Sequence, residues 1–237
     1  QKNTPEDRLI SSRLYAADRH IRIRQEMLLG IGGSRLLERL GRKPAVYHLN
    51  EGHSAFLALE RIRVLIGEEG LSFAEALEAV RGSLIFTTHT PVEAGNERFD
   101  REIMEYYLRP FAETAHIPWS DLWRLGSISG EADKPFFMTV LALKTAGRCN
   151  GVSRLHGRVA RRMWREVWKG LPTEEIPILS ITNGIHLASF VSDPIRELLT
   201  RHVGVDWSCP SVETHAWERV GEIPDAALWA ARRENKD

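Results

Sequence analysis

Asn50, Glu51 and His53 bring an amide, a carboxylate and an imidazole together in one phrase, YHLNEGHSAF, from Tyr47 to Phe56. A neighbouring carboxylate and imidazole can act as a general-base pair, can supply two ligands to a divalent metal, or can anchor their own loop. Two further segments, FTTHTPVEAGNERF from Phe86 to Phe99 and ITNGIH from Ile181 to His186, repeat the same arrangement of an apolar strand opening into a polar loop. Polar groups delivered at strand ends converge on a crevice in parallel α/β folds. The first of these further loops opens at His89, and the second delivers Asn183. Each also has a plainer reading: His89 can hold the turn before Pro91, and Asn183 before Gly184 can be a turn residue. Glu93 and Glu97 have helical spacing for a two-carboxylate hydrolase, but Pro91 and Gly95 argue against a helix there.

The elements that must carry these residues alternate. Ala45 to Leu49 reads as a strand, Ser54 to Ile66 and Leu71 to Val80 as helices, and Leu84 to Thr88 as a second strand, which predicts parallel pairing with helical crossovers. Helices are predicted over Phe99 to Phe111, Phe136 to Leu143 and Pro194 to Arg201, with a surface excursion over Ile117 to Asp133. A late strand over Ile176 to Ile181 delivers Thr182, Asn183 and Gly184. Thr4 to Leu40 is expected to be helical in two parts, broken at Gly30, Gly32 and Gly33 by a helix cap and turn. That run lacks GxGxxG spacing and follows no strand, so it is not read as a nucleotide loop. Arg154, Arg158, Arg161, Arg162 and Arg165 fall near one helical face, read as solvated and basic.

The chain has 237 residues, 43% hydrophobic and 27% charged, with 32 basic against 32 acidic side chains. This balance gives no charge argument for nucleic acid or an anionic membrane. No run is long and apolar enough to span a bilayer, and a cytoplasmic protein is expected. Cys149 and Cys209 have no metal-site spacing and read as reduced thiols. The seven Trp residues read mainly as core anchors rather than sugar platforms.

Taken together, RIRQEMLLGIGG at Arg22, YHLNEGHSAF at Tyr47, FTTHTPVEAG at Phe86, FFMTVLAL at Phe136, NGVSRLHG at Asn150 and TNGI at Thr182 closely resemble the bacterial and archaeal α-glucan (glycogen, maltodextrin) phosphorylases. The resemblance implies a partial Rossmann-like domain of a GT-B type glycosyltransferase, with a parallel sheet and helices on both faces. It treats residues 1–237 as one partial domain, the later part of the N-terminal domain, excised or truncated from a longer enzyme. The reaction implied is reversible, retaining transfer of a terminal α-1,4-glucosyl unit to inorganic phosphate, giving glucose 1-phosphate. Pyridoxal phosphate would be held mainly by the absent C-terminal domain, and its lysine has no counterpart here. No cofactor and no metal are expected in this piece, which should be inactive alone.

By the same resemblance, the main-chain carbonyl of His89 and the side-chain amide of Asn183 meet the glucosyl unit, while Glu51 and His53 line the sugar pocket. None of the four would transfer the proton. Partners implied are α-1,4-glucan, phosphate and the missing domain, and exposed sheet edges would allow a homo-oligomer. Two departures stand out: His186 to Phe190 replaces the usual Thr-Pro after the Asn-Gly loop, and Phe137 stands where Asn is common. The alternative is a non-catalytic carbohydrate-binding or structural module of the same fold.

Overall fold

The computed structural model describes residues 2–14, 16–128, 134–204, 207–208 and 214–235. They gather into two compact units, Gln1–Thr182 and Asn183–Asp237. Cys209 and the end of the expected excursion, residues 129–133, lie outside the described residues.

Among the described residues the first unit holds six strands: β1 (Tyr47–Asn50), β2 (Leu84–Thr88), β3 (Arg98–Phe99), β4 (Phe136–Phe137), β5 (Arg148–Gly151) and β6 (Ile178–Ser180). Its helices are α1 (Pro5–Leu9), α2 (Arg19–Met27), α3 (Gly33–Arg39), α4 (Phe56–Glu69), α5 (Phe73–Arg81), α6 (Arg101–Thr114), α7 (Trp119–Gly126), α8 (Met138–Thr145) and α9 (Arg154–Met163). Four strands form a parallel sheet in the order β1-β2-β5-β6, pairing Tyr47 with Leu84, Ile85 with Arg148 and Cys149 with Ile178. The alternation of strands and helices in the sequence thus gives the α/β architecture it predicts.

Because that order advances in one direction, right-handed crossovers stack the connecting helices on one face. Leu49, Leu84, Phe86, Cys149 and Ile178 are buried on that face, beneath a core that includes Phe56, Leu59, Ile62, Phe136 and Leu141. Strand residues alternate between faces. The other set includes exposed His48 and Arg148, and Leu179 at 56% exposure. The expected cover on both faces is therefore met on one face by the described residues. Thr87 and Asn150 are still buried on the open side, where a ladder crosses three strands: His48 Nε2 meets Thr87 Oγ1 at 2.8 Å, and that hydroxyl donates to Asn150 Oδ1 at 2.9 Å.

Four local expectations change. The surface excursion expected over Ile117 to Asp133 instead carries α7, which buries Leu122, Trp123 and Leu125 in the core because its apolar residues share one helical face. Arg148–Gly151 is an interior strand that the polar sequence RCNG conceals, because its pairing is supplied by neighbours on both sides rather than by apolar alternation. Phe136–Phe137 is extended rather than helical, pairing antiparallel with Arg98–Phe99, and α8 begins only at Met138. The glycine run at Gly30–Gly33 does not break the N-terminal helix. Leu28–Gly32 continues α2 as a π-helical turn, and α3 follows without a gap. The reason is packing: a Cβ on Gly30 would sit 2.7 Å from the Leu57 backbone nitrogen, so glycine lets this turn lie directly on α4.

Helix entry points follow side-chain caps. Asp18 accepts from the Ile21 N–H, Ser72 and Glu75 form a capping box, and Ser153 accepts from the His156 N–H. The second unit contains α10 (Leu187–Phe190), α11 (Asp193–His202) and α12 (Asp225–Glu234), with Leu198, Ile223 and Ala231 packed in one cluster and Leu199, Val203 and Trp207 in another. Trp123, Trp164 and Trp207 are buried anchors, whereas Trp229 is 60% exposed.

Candidate functional site

Glu51 sits immediately beyond β1 with φ 69° and ψ 174°, a backbone region essentially restricted to glycine. Such a conformation costs on the order of 1–3 kcal/mol and persists only where its surroundings hold it. Here they do. The Glu51 N–H donates to the Thr87 carbonyl at 2.9 Å, and its Oε2 accepts from the Gly52 N–H at 3.3 Å. Its Oε1 accepts from the Thr88 hydroxyl at 3.3 Å, from the Thr90 N–H at 2.8 Å and from the His89 N–H. One carboxylate therefore staples the loop after β2 to the end of β1.

With its N–H turned into Glu51, exposed His89 keeps a main-chain carbonyl to which no described residue donates a hydrogen bond. That carbonyl is an acceptor fixed at the C-terminal edge of the sheet. The same loop also meets buried His156, in the first turn of α9, whose Nε2 faces the Thr90 carbonyl at 3.4 Å.

His53 belongs to a different cluster. Arg22 Nη2 donates to Glu26 Oε1 at 2.8 Å and lies 2.6 Å from His53 Nδ1, which is itself 3.4 Å from Glu26 Oε1, while Arg22 Nε reaches Glu97 Oε2 at 2.8 Å. Arg19 adds a 2.5 Å contact to Glu97. Burial pushes the Glu26 carboxyl above its usual range, against the lowering pull of His53 and Arg22. The two members of the Glu-Gly-His phrase thus face separate networks, and they do not form a carboxylate–imidazole pair with each other. Glu93 lies in a three-residue turn and Glu97 is engaged by two arginines, so those carboxylates share no helix face.

Asn183 opens the second unit and is exposed there, three residues beyond the end of β6. Among the described residues no group of three His, Cys, Asp or Glu could hold a metal ion. Arg154, Arg158, Arg162 and Arg165 are exposed, and Arg161 is spent on the Ile178 carbonyl at 2.6 Å. Phe137 is buried against Trp164, ring centroids 6.0 Å apart, so core packing occupies that departure from the common Asn. In the other departure Leu187–Phe190 forms α10, with His186 Nδ1 and Ser189 Oγ 2.7 Å apart.

Sequence reasoning missed Arg22, Glu26 and His156 as parts of these networks. Their only signals were the two arginines and glutamate in RIRQE and the histidine one turn into NGVSRLH.

A parallel sheet with helical crossovers, its strand ends joined by a carboxylate-stapled loop, is an α/β fold with a Rossmann-like core. The family described as carbohydrate phosphorylase matches residues 30–227, and the chain belongs to that family. It is 45% identical over 235 residues to maltodextrin phosphorylase of Thermococcus litoralis, covering 99% of this chain and 27% of that protein. It is 39% identical over 243 residues to glycogen phosphorylase of Mycobacterium tuberculosis, covering 98% and 28% respectively. With glycogen phosphorylase of Aquifex aeolicus the identity is 33% over 241 residues, covering 100% and 34%. The chain therefore spans between 27% and 34% of the length of these relatives.

Proposed function

We propose that this chain supplies part of the glucosyl-binding crevice of an α-glucan phosphorylase, a GT-B type enzyme that transfers a terminal α-1,4-glucosyl unit to inorganic phosphate. The observation that carries the proposal is the open His89 carbonyl on a loop immobilised by Glu51. A sugar hydroxyl donates to such a carbonyl, and a loop fixed in advance spends little ordering entropy on binding. Glu51 then acts by holding the loop, and His53 forms a wall beside Arg22. The names of the relatives, maltodextrin and glycogen phosphorylase, favour α-glucan as the substrate class.

Residues 1–237 are read as one partial domain, the later part of the first of two Rossmann-like domains. The phosphorylase family uses pyridoxal phosphate, and Lys144 does not fit as the residue that would hold it. Lys144, the lysine whose pKa burial lowers, has its amine tied to the Arg124 and Ser127 carbonyls at 2.7 and 2.6 Å. No step is routed through the cofactor, and phosphorolysis by this chain alone is expected to be absent.

Binding can be followed by amide NMR on the full chain, titrated with maltoheptaose and, in parallel, with cellohexaose. Saturable shifts at His89, Thr90 and the residues around them, with the α-linked sugar only, are the expected result. Equal responses to both sugars, or shifts confined to other surfaces, would overturn the assignment.

A further inference from the structure

We propose that His156 is a positioning residue that sets the His89–Thr90 loop through the Thr90 carbonyl, while Glu51 holds the loop N–H groups, and so directs the His89 carbonyl. His156 is 7% exposed, and its own N–H is capped by Ser153 Oγ at 3.0 Å, which fixes the first turn of α9. Its Nδ1 accepts from the Val152 N–H at 3.2 Å. A neutral imidazole that accepts at one nitrogen carries its proton on the other. The Nε2–H is therefore the group that faces the Thr90 carbonyl at 3.4 Å, a long bond that a bound ligand could tighten.

The loop is thus held through both kinds of peptide group. Glu51 takes the N–H groups of His89 and Thr90, and His156 gives to the carbonyl of Thr90. The carbonyl of His89 lies between those two attachments and belongs to neither. The histidine also links strands: it ties the turn after β5 to the loop after β2, across the neighbouring pair in the sheet. Gly151 makes room for this, since a Cβ there would lie 3.0 Å from His156 Nδ1.

Histidine does two jobs that amides can separate. In His156→Asn the shorter amide can still accept from Val152 but cannot reach Thr90. In His156→Gln the longer amide can reach the Thr90 carbonyl but gives up the Nδ1 position. The proposal rests on the reading that the His89 carbonyl meets a glucosyl unit, so the test reads the loop and the sugar separately. Long-range nitrogen NMR on the full wild-type chain should show His156 protonated at Nε2 and bare at Nδ1. Amide exchange at His89 and Thr90 should rise roughly 3- to 10-fold in His156→Asn, as expected for losing one hydrogen bond, while Val152 stays protected. His156→Gln should show the reverse pattern. Maltoheptaose affinity should fall in His156→Asn and be restored in His156→Gln.

A proton on Nδ1, or equal loosening of both segments in both variants, overturns the proposal, and the tautomer decides it even if neither variant folds. Unchanged sugar affinity in a variant whose loop has loosened also overturns it. If the loop responds as expected while the wild-type chain binds no sugar, the loop assignment stands and the glucosyl reading alone fails.

Discussion

Replacing Gly30 with alanine sets two effects of known size against each other. The π-helical turn has no positive-φ residue at this position, so alanine meets no backbone penalty and gains about 0.8–1.0 kcal/mol of helix propensity. Its Cβ, however, would lie 2.7 Å from the Leu57 nitrogen and 3.0 Å from Phe56 carbonyl carbon and Cβ, where ordinary contact begins at 3.4 Å. Those neighbours are at the start of α4, buried in the core where the Phe56 ring meets Phe136, and their backbone cannot rotate aside as a side chain would. Overpacking of this kind costs roughly 1–3 kcal/mol, so Gly30→Ala should be destabilised by about 1 kcal/mol net. Gly33→Ala is the internal control. Gly33 has helical φ −61° and nothing within 4 Å of its missing Cβ, so the same change there should stabilise by about 0.5–1 kcal/mol. Urea unfolding, followed by tryptophan fluorescence from buried Trp123 and Trp164, measures both. A Gly30→Ala variant as stable as Gly33→Ala would refute the packing explanation. Loss of stability in both would instead restore the cap-and-turn expectation for this run.

Two other consequences concern buried ionisable groups. The Glu60 side chain is fully buried, and burial alone would raise its pKa, but hydrogen bonds from Arg35 at 2.9 and 3.0 Å and from Arg63 at 2.8 and 3.0 Å outweigh this and hold it below the usual value. A depressed native pKa stabilises above the ordinary carboxylate range and loses that contribution as pH falls through the native value. Glu60→Gln should therefore cost on the order of 1–3 kcal/mol at pH 7, with the deficit shrinking below about pH 4 in urea titrations, and a deficit independent of pH would refute the charge argument. Cys149 is buried and its thiol is pushed up to about 12. In a Cys209→Ser background, iodoacetamide at pH 8 should leave the folded chain unlabelled and react only after urea is added; prompt labelling of the native chain would contradict the burial.

Much of the first unit was legible because its elements carry local signatures. Leu84–Thr88 is an apolar β-rich run, Ser72 and Glu75 announce a helix start, and the stripe in Phe56–Glu69 has helical period. Motif spacing carried the family, and with it His89 and Asn183 as candidates. Arg148–Gly151 was invisible, since a strand paired on both sides can be built from Arg, Cys, Asn and Gly when its neighbours provide the hydrogen bonds. Gly30 was misread for a related reason: its sequence neighbours suggest a turn, whereas the constraint comes from Leu57, far along the chain.

The candidate site divides in the same way. The sequence by itself determined that Glu51 and the His89 loop would follow neighbouring parallel strands, because strand ends and loop polarity are local properties. Only tertiary structure decided that Glu51 turns to the His89–Thr90 backbone, that His53 turns instead to Arg22, and that His156 Nε2 meets the Thr90 carbonyl. Each choice joins residues between 31 and 66 positions apart. Hydrogen-bond partners at such separations are set by strand order and helix placement, which no local pattern of residue types specifies.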